Sequence, residues 1–197
     1  DSTEDATIVL DQAEQILFNL SQDAERDGFK PIEPVLHAVL DNWGSRKKGT
    51  LTGIPTGYYD LDDLLSGLQK SDLIICAGRP SMGKTALALS IARNAALEYG
   101  HRVGVFSLEM SNTQLVERLL TAEAKVDSHL VRTGKLPKNE WKRLAQAAGP
   151  LSEANIYIDD SAGLNIMDLR AKARQLKAEK DIELIIVDYI QLMNSGG

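Results

Sequence analysis

Leu73-Ile74-Ile75-Cys76-Ala77-Gly78-Arg79-Pro80-Ser81-Met82-Gly83-Lys84-Thr85-Ala86-Leu87-Ala88-Leu89 is the stretch that decides the fold. Its apolar opening predicts a strand over 73–77, buried on both faces. Gly78 to Thr85 then fits G-x-x-x-x-G-K-[ST], and an alanine-rich helix predicted over 84–98 leaves it. Each residue type has a task. Glycines let the backbone turn tightly, so that its N–H groups face phosphate oxygens. The helix start adds roughly half a positive charge that favours an anion. Lys84 supplies a mobile cation for the β- and γ-phosphates, and Thr85 a hydroxyl for Mg²⁺. The predicted nucleotide-binding set is therefore Gly78, Arg79, Pro80, Ser81, Met82, Gly83, Lys84, Thr85 and Ala86, with ATP and Mg²⁺ as cofactors.

Two further strands end in carboxylates. Leu184-Ile185-Ile186-Val187-Asp188 is apolar up to Asp188, which is placed to hold Mg²⁺ at the C-terminal edge of a sheet, where open α/β sheets bind ligands. Val103 to Leu108 leads to Glu109, the residue predicted to polarise the attacking water. Lys84 and Glu109 are the predicted catalytic pair, and Thr85 and Asp188 the predicted metal ligands.

Strands are expected near 73–77, 103–108, 155–158 and 183–188, and helices near 60–66, 84–98, 112–124, 138–148 and 166–179. This alternation predicts an α/β fold, a mostly parallel sheet with helices on both faces. Ser111 with Gln114 is a capping-box signature, and Asn165 with Asp168 offers a similar helix start. Asp159 and Asp160 are read as bounding a turn before Ser161. Ahead of this domain, 8–20 reads as an amphipathic helix with Ala13, Ile16, Leu17 and Leu20 on one stripe. Residues 21–34 read as a linker, 35–43 as a short apolar helix, and 44–52 as a loop with the cations Arg46, Lys47 and Lys48. The organisation is thus 1–22, 23–50 and 51–197.

The 197 residues are 43% hydrophobic and 25% charged, which suits a folded globular chain rather than a disordered one. The net charge of −6 excludes a broadly basic nucleic-acid-coating surface, so DNA contact needs a local patch or residues elsewhere. No apolar run is long enough to span a bilayer, no secretory signal opens the chain, and the lone Cys76 forbids an internal disulfide. Cys76 is expected to be a buried core thiol in a cytoplasmic protein. His37, His101 and His129 lack ligand spacing. Arg170, Lys172, Arg174, Lys177 and Lys180, mixed with acids on one helix, read as a solvated face. Trp43 and Trp141 are isolated, with no aromatic platform for bases. Asp1 is not a natural start residue, and the chain reads as a piece of something longer.

Taken together, GRPSMGKTALAL (78–89), SLEMS (107–111) and IIVDYIQLM (185–193) resemble the ATPase motifs of the DnaB replicative helicases. The segment 52–85 resembles the lead-in to their RecA-like P-loop motor domain, 126–136 their stretch after the catalytic glutamate, and 11–22 the helix joining their N-terminal domain to the motor. The resemblance implies a hexameric ring that hydrolyses ATP to move 5′–3′ along single-stranded DNA, working with a primase and a helicase loader. It gives Lys84, Thr85, Glu109 and Asp188 the roles read above, leaves Gln191 without a definite one, and docks the 8–20 helix on a neighbouring subunit. It also implies a C-terminally truncated motor. The family continues with a strand that lies between the 73–77 and Asp188 strands, a γ-phosphate sensor, DNA-contacting loops and an arginine offered to the neighbour. A gap at the centre of the sheet is therefore expected. The missing half would come from a second polypeptide, such as a split-gene or processed partner, or the chain is an artificially shortened piece, and hydrolysis by this piece alone would be poor. Competing readings are another RecA-like ATPase of recombinase or clock type, a module that uses nucleotide only for assembly, and a small-molecule kinase, for which no substrate lid is evident.

Overall fold

In the computed structural model, residues 31–45 and 49–193 are described, and they fall into two units divided after Thr50. The expected 8–20 helix and the Arg46–Lys48 cations lie outside the described residues. The first unit contributes helix α1 (Ile32–Ser45). It begins earlier than the sequence suggests because Pro34 sits in its first turn, where a missing N–H costs nothing.

The second unit is built on three parallel strands, β1 (Val103–Ser107), β2 (Ile156–Asp159) and β3 (Leu184–Asp188), in the order β2-β1-β3. Strand β1 is central and buried along its whole length. The register sets Phe106 opposite Asp159 and Ser107 opposite Asp188, so the strands deliver their carboxylates to one rim. Helices α2 (Tyr59–Leu65) and α3 (Lys84–Arg93) precede β1, α4 (Asn112–Ala124), α5 (Ser128–Arg132) and α6 (Lys138–Glu153) lie between β1 and β2, and α7 (Ile166–Lys180) lies between β2 and β3.

Alternation along β1 explains how both faces are covered. Val103 and Val105 join Leu89, Ala92 and Ala95 of the α3 run and Leu115 and Leu119 of α4 in one core. The alanines, 0% exposed, keep that helix close to the sheet. Gly104 points the other way. A Cβ there would lie 3.0 Å from Leu176 Cδ2 of α7, so any larger residue would press on that side chain, and the glycine favours a close helix-to-strand approach. A smaller core of Ala124, Val126, Leu144 and Ala147 ties α4 to α6.

The helix starts follow the sequence. Ser111 and Gln114 form the reciprocal capping box, and Asn165 Oδ1 accepts the N–H groups of Met167 and Asp168. Helix α3 continues through a π-helical turn, Asn94–Glu98, and so fills the expected 84–98 span. Helix α6 runs past Gly149-Pro150, where a stop was expected. Pro150 removes the donor to the Gln146 carbonyl, but Gln146 is exposed and water can take its place.

One expected strand does not form. Residues 73–77 pair with no other strand among the described residues, and β3 is paired only with β1. Leu73 is 85% and Ile75 78% exposed, and Cys76 is exposed rather than a core thiol. Apolar composition predicts that a segment will be buried, but it cannot supply the neighbour whose hydrogen bonds make it a strand.

Candidate functional site

The glycine loop has the shape its residues predict. Ser81 (φ 63°) and Gly83 (φ 87°) both adopt left-handed backbone, which winds the chain back on itself ahead of α3. Only glycine takes such angles without strain, and Ser81 is held there against its preference. The amides of Gly83, Lys84, Thr85 and Ala86 meet no acceptor among the described residues, while Leu87 N–H already closes the first helical bond to Gly83 O at 2.9 Å. These are the unsatisfied donors of a helix start, turned toward the loop, and they suit a polyanion. Lys84 extends its stem over the first glycine, with Cγ 3.5 Å from where a Cβ on Gly78 would sit. Its ammonium lies 5.2 Å from the centre of the Tyr189 ring.

The carboxylates come from the rim. Asp188 is 8% exposed, and its Oδ2 is buried without a hydrogen-bond partner. A buried carboxylate oxygen left bare is costly unless a cation joins it. Asp188 also fixes its neighbour strand's exit, because its backbone O accepts Leu108 N–H at 2.8 Å. Glu109 is exposed on the bend after β1. That bend is clamped by Ser107, whose hydroxyl donates to Met110 O at 2.7 Å and accepts Met110 N–H at 3.2 Å. The fold thus brings the Lys84 ammonium over Tyr189, the residue after Asp188, and sets Asp188 and Glu109 at adjacent strand ends. Mg²⁺ takes few protein ligands beside phosphate oxygens, so the Thr85 hydroxyl and the bare Asp188 oxygen fit it.

Sequence reasoning passed over the residues that brace this site. Asp62, 4% exposed, accepts Thr56 N–H (2.8 Å), Thr56 Oγ1–H (2.8 Å) and Gly57 N–H (3.1 Å). Asn94, at the end of α3, donates to Thr56 O at 2.9 Å. Ile54 and Leu68 close this lead-in with mutual backbone bonds of 2.8 Å. The lead-in is therefore a brace joined to the phosphate-loop helix. Its signal was Asp62 in the otherwise helix-like Tyr59–Leu65, six residues after Thr56. Arg93 is bound to Glu98 and to Glu123 (2.6 Å), and the Glu123 hydrogen bond, outweighing burial, raises its pKa.

Asp159, the last residue of β2, and Asp160 precede the turn at 162–163 and so bound it, as expected. Asp159 accepts Ser161 N–H at 2.9 Å, and Asp160 also accepts Asn112 N–H at 2.8 Å, at the start of α4. The basic residues of α7 are less idle than a solvated face would be. Lys172 donates to Asp159 (2.6 Å) and Ser161 (2.7 Å), and Lys177 to Asp181 (2.6 Å). Burial acts to raise the Asp159 pKa, but the Lys172 and Ser161 bonds win and hold it below the usual carboxylate value. An open cleft of about 340 Å³ beside α7 is lined by Phe106, Tyr157 and Lys172 and includes neither Lys84 nor Glu109. No helix among the described residues is long and apolar enough to cross a membrane.

The chain is similar to known proteins over most of its length. The family model described as "DnaB-like helicase C terminal domain" matches residues 53–197. The chain is 45% identical to the replicative DNA helicase DnaB of Geobacillus stearothermophilus, over 96% of this chain and 42% of that protein. It is 43% identical to the replicative DNA helicase DnaC of Bacillus subtilis (strain 168), with the same coverage. Among solved structures, one described as an ATPase domain superposes with a TM-score of 0.80 at 29% identity, covering 86% of this chain and 61% of that one. A DnaB-like replicative helicase, described with its interactions with primase, superposes at 0.77 and 27% identity over 95% of this chain and 48% of its own. The chain spans well under half the length of the curated relatives it matches here.

Proposed function

This chain belongs to the DnaB-like helicase C terminal domain family, and on that premise we propose that it is the ATP-hydrolysing part of a replicative DNA helicase. The amides of Gly83 to Ala86 and the start of α3 grip the β- and γ-phosphates, and the Lys84 ammonium adds a full charge. Thr85 and Asp188 would hold Mg²⁺, which when bound offsets phosphate charge and polarises the γ-phosphoryl group. Glu109 orients a water and takes its proton. The water oxygen bonds to the γ-phosphorus, the bond from that phosphorus to the β–γ bridging oxygen breaks, and ADP and inorganic phosphate depart. The single observation that carries this reading is the buried, bare Asp188 Oδ2 beside a loop of unpaired amides.

In the whole protein, the motor works as a homo-hexameric ring in the cytoplasm, moving 5′–3′ along single-stranded DNA with primase and loader as partners. The 1–22 segment docks on a neighbouring subunit, and 51–197 is the motor portion. The exposed apolar run 73–77, and an edge of β3 that pairs with no strand among the described residues, support a further strand from the rest of the motor. The test is Glu109→Gln in the complete helicase. Nucleotide and single-stranded DNA binding persist, while hydrolysis and unwinding fall by about 10²–10⁴. Turnover close to wild type would refute the assignment.

A further inference from the structure

Lys84 and Asp188 carry opposite charges and both adjoin Tyr189, one in space and the other in sequence, yet they do not pair. Among the described residues the Lys84 ammonium has no carboxylate within ion-pairing distance, and Asp188 Oδ2 accepts no hydrogen bond. The ammonium instead sits over the Tyr189 ring, 5.2 Å from its centre. Both side chains are half-buried, which strengthens attraction between a cation and an aromatic face. The backbone that carries the ring is tied into the 3₁₀ turn Ile190–Leu192, because the Tyr189 carbonyl accepts Leu192 N–H at 3.1 Å.

A lysine on a flexible four-carbon stem, whose ammonium lies over the residue next in sequence to a buried carboxylate, has an electrostatic reason to close on it. That ion pair would consume both groups the substrate needs, the cation for phosphate and the carboxylate for Mg²⁺. An aromatic face attracts the ammonium without neutralising it and leaves its N–H donors free for oxygen acceptors. We propose that Tyr189 is a positioning residue: its ring holds Lys84 away from Asp188 and over the phosphate loop, keeping the empty site ready for Mg²⁺-nucleotide. The proposal rests on the nucleotide-site reading of Lys84 and Asp188.

The test compares wild type, Tyr189→Phe and Tyr189→Leu as the full 197-residue chain. In the nucleotide-free chain, the Lys84 ε-methylene protons carry an upfield ring-current shift, identified by its loss in Lys84→Met. The shift persists in Tyr189→Phe and disappears in Tyr189→Leu. Titration with a fluorescent Mg²⁺-ADP analogue gives equal affinity for wild type and Tyr189→Phe, and affinity weaker by roughly threefold to tenfold for Tyr189→Leu. Thermal unfolding of the three chains coincides, which separates positioning from folding. Tyr189→Leu binding as tightly as wild type, or tighter, overturns the proposal, as does Tyr189→Phe binding as weakly as Tyr189→Leu. If wild type itself fails to bind Mg²⁺-nucleotide, the reading of the site falls and the proposal with it. Binding by wild type without a ring-current shift overturns the proposal alone.

Discussion

Replacing Asp62 with alanine removes the acceptor on which the lead-in brace is built. The carboxylate takes hydrogen bonds from Thr56 N–H, the Thr56 hydroxyl and Gly57 N–H at 2.8, 2.8 and 3.1 Å. Thr56 is 0% exposed, so its N–H finds no water when the acceptor leaves. A buried donor left unsatisfied costs about 1–3 kcal/mol, and Thr56 falls at the upper end while half-buried Gly57 falls at the lower. Release of a carboxylate from a buried position offsets part of this loss. The net expectation for Asp62→Ala is about 3 kcal/mol, a large share of a stability that for domains runs at about 5–15 kcal/mol. Asp62→Asn falls between, because one amide oxygen still serves Thr56 while the NH₂ opposes a donor. Urea unfolding followed by far-ultraviolet circular dichroism measures this as a lower midpoint at constant slope. Because Asn94 bonds Thr56 O at 2.9 Å, Mg²⁺-nucleotide binding also weakens as α3 loosens. A loss below about 1 kcal/mol would refute the view that Asp62 carries the brace.

Cys76, being exposed, reacts with a maleimide at the rate of a free, accessible thiol. Protection comparable to a core cysteine would show that 73–77 is covered in solution. The Asp159 pKa is lowered in the folded chain, so its contribution is present above the unfolded value near 3.9 and is lost as pH falls through the folded value. An acid titration of stability should therefore show a loss below about pH 4 that Asp159→Asn diminishes, at a neutral-pH cost of about 0.5–1 kcal/mol for a partly exposed pair. An unchanged acid limb would remove Asp159–Lys172 from the account.

The parts of the fold legible in the sequence are those set by near neighbours. The phosphate loop is encoded by spacing within eight residues and a flanking helix, and its left-handed turns fall at Ser81 and Gly83. Ser111 and Asn165 announce their helices because a cap and its N–H partners lie within three residues. Asp188 and Glu109 stand out as candidates because each follows a run of strand residues, and parallel register then aligns strand ends. What stayed hidden depends on distant contacts. Asn94 reaches Thr56 across 38 positions, and Gly104 is favoured by the close approach of Leu176 on another element. The 73–77 run illustrates the same limit from the other side. Its apolarity predicts a buried strand, while its actual state depends on whether another strand lies beside it. The short helix α5 follows from Asp127 accepting His129 N–H at 2.8 Å, a local cue that an apolar-periodicity search is too coarse to register.

The most direct test of the central claim is isothermal titration of Mg²⁺-ADP into the wild-type chain and into Lys84→Ala. Saturable, Mg²⁺-dependent binding by wild type that Lys84→Ala weakens by at least about tenfold, through loss of a charge-assisted contact, is the expected result. Equal affinity in the two chains would contradict the phosphate-cradle account of residues 78–86.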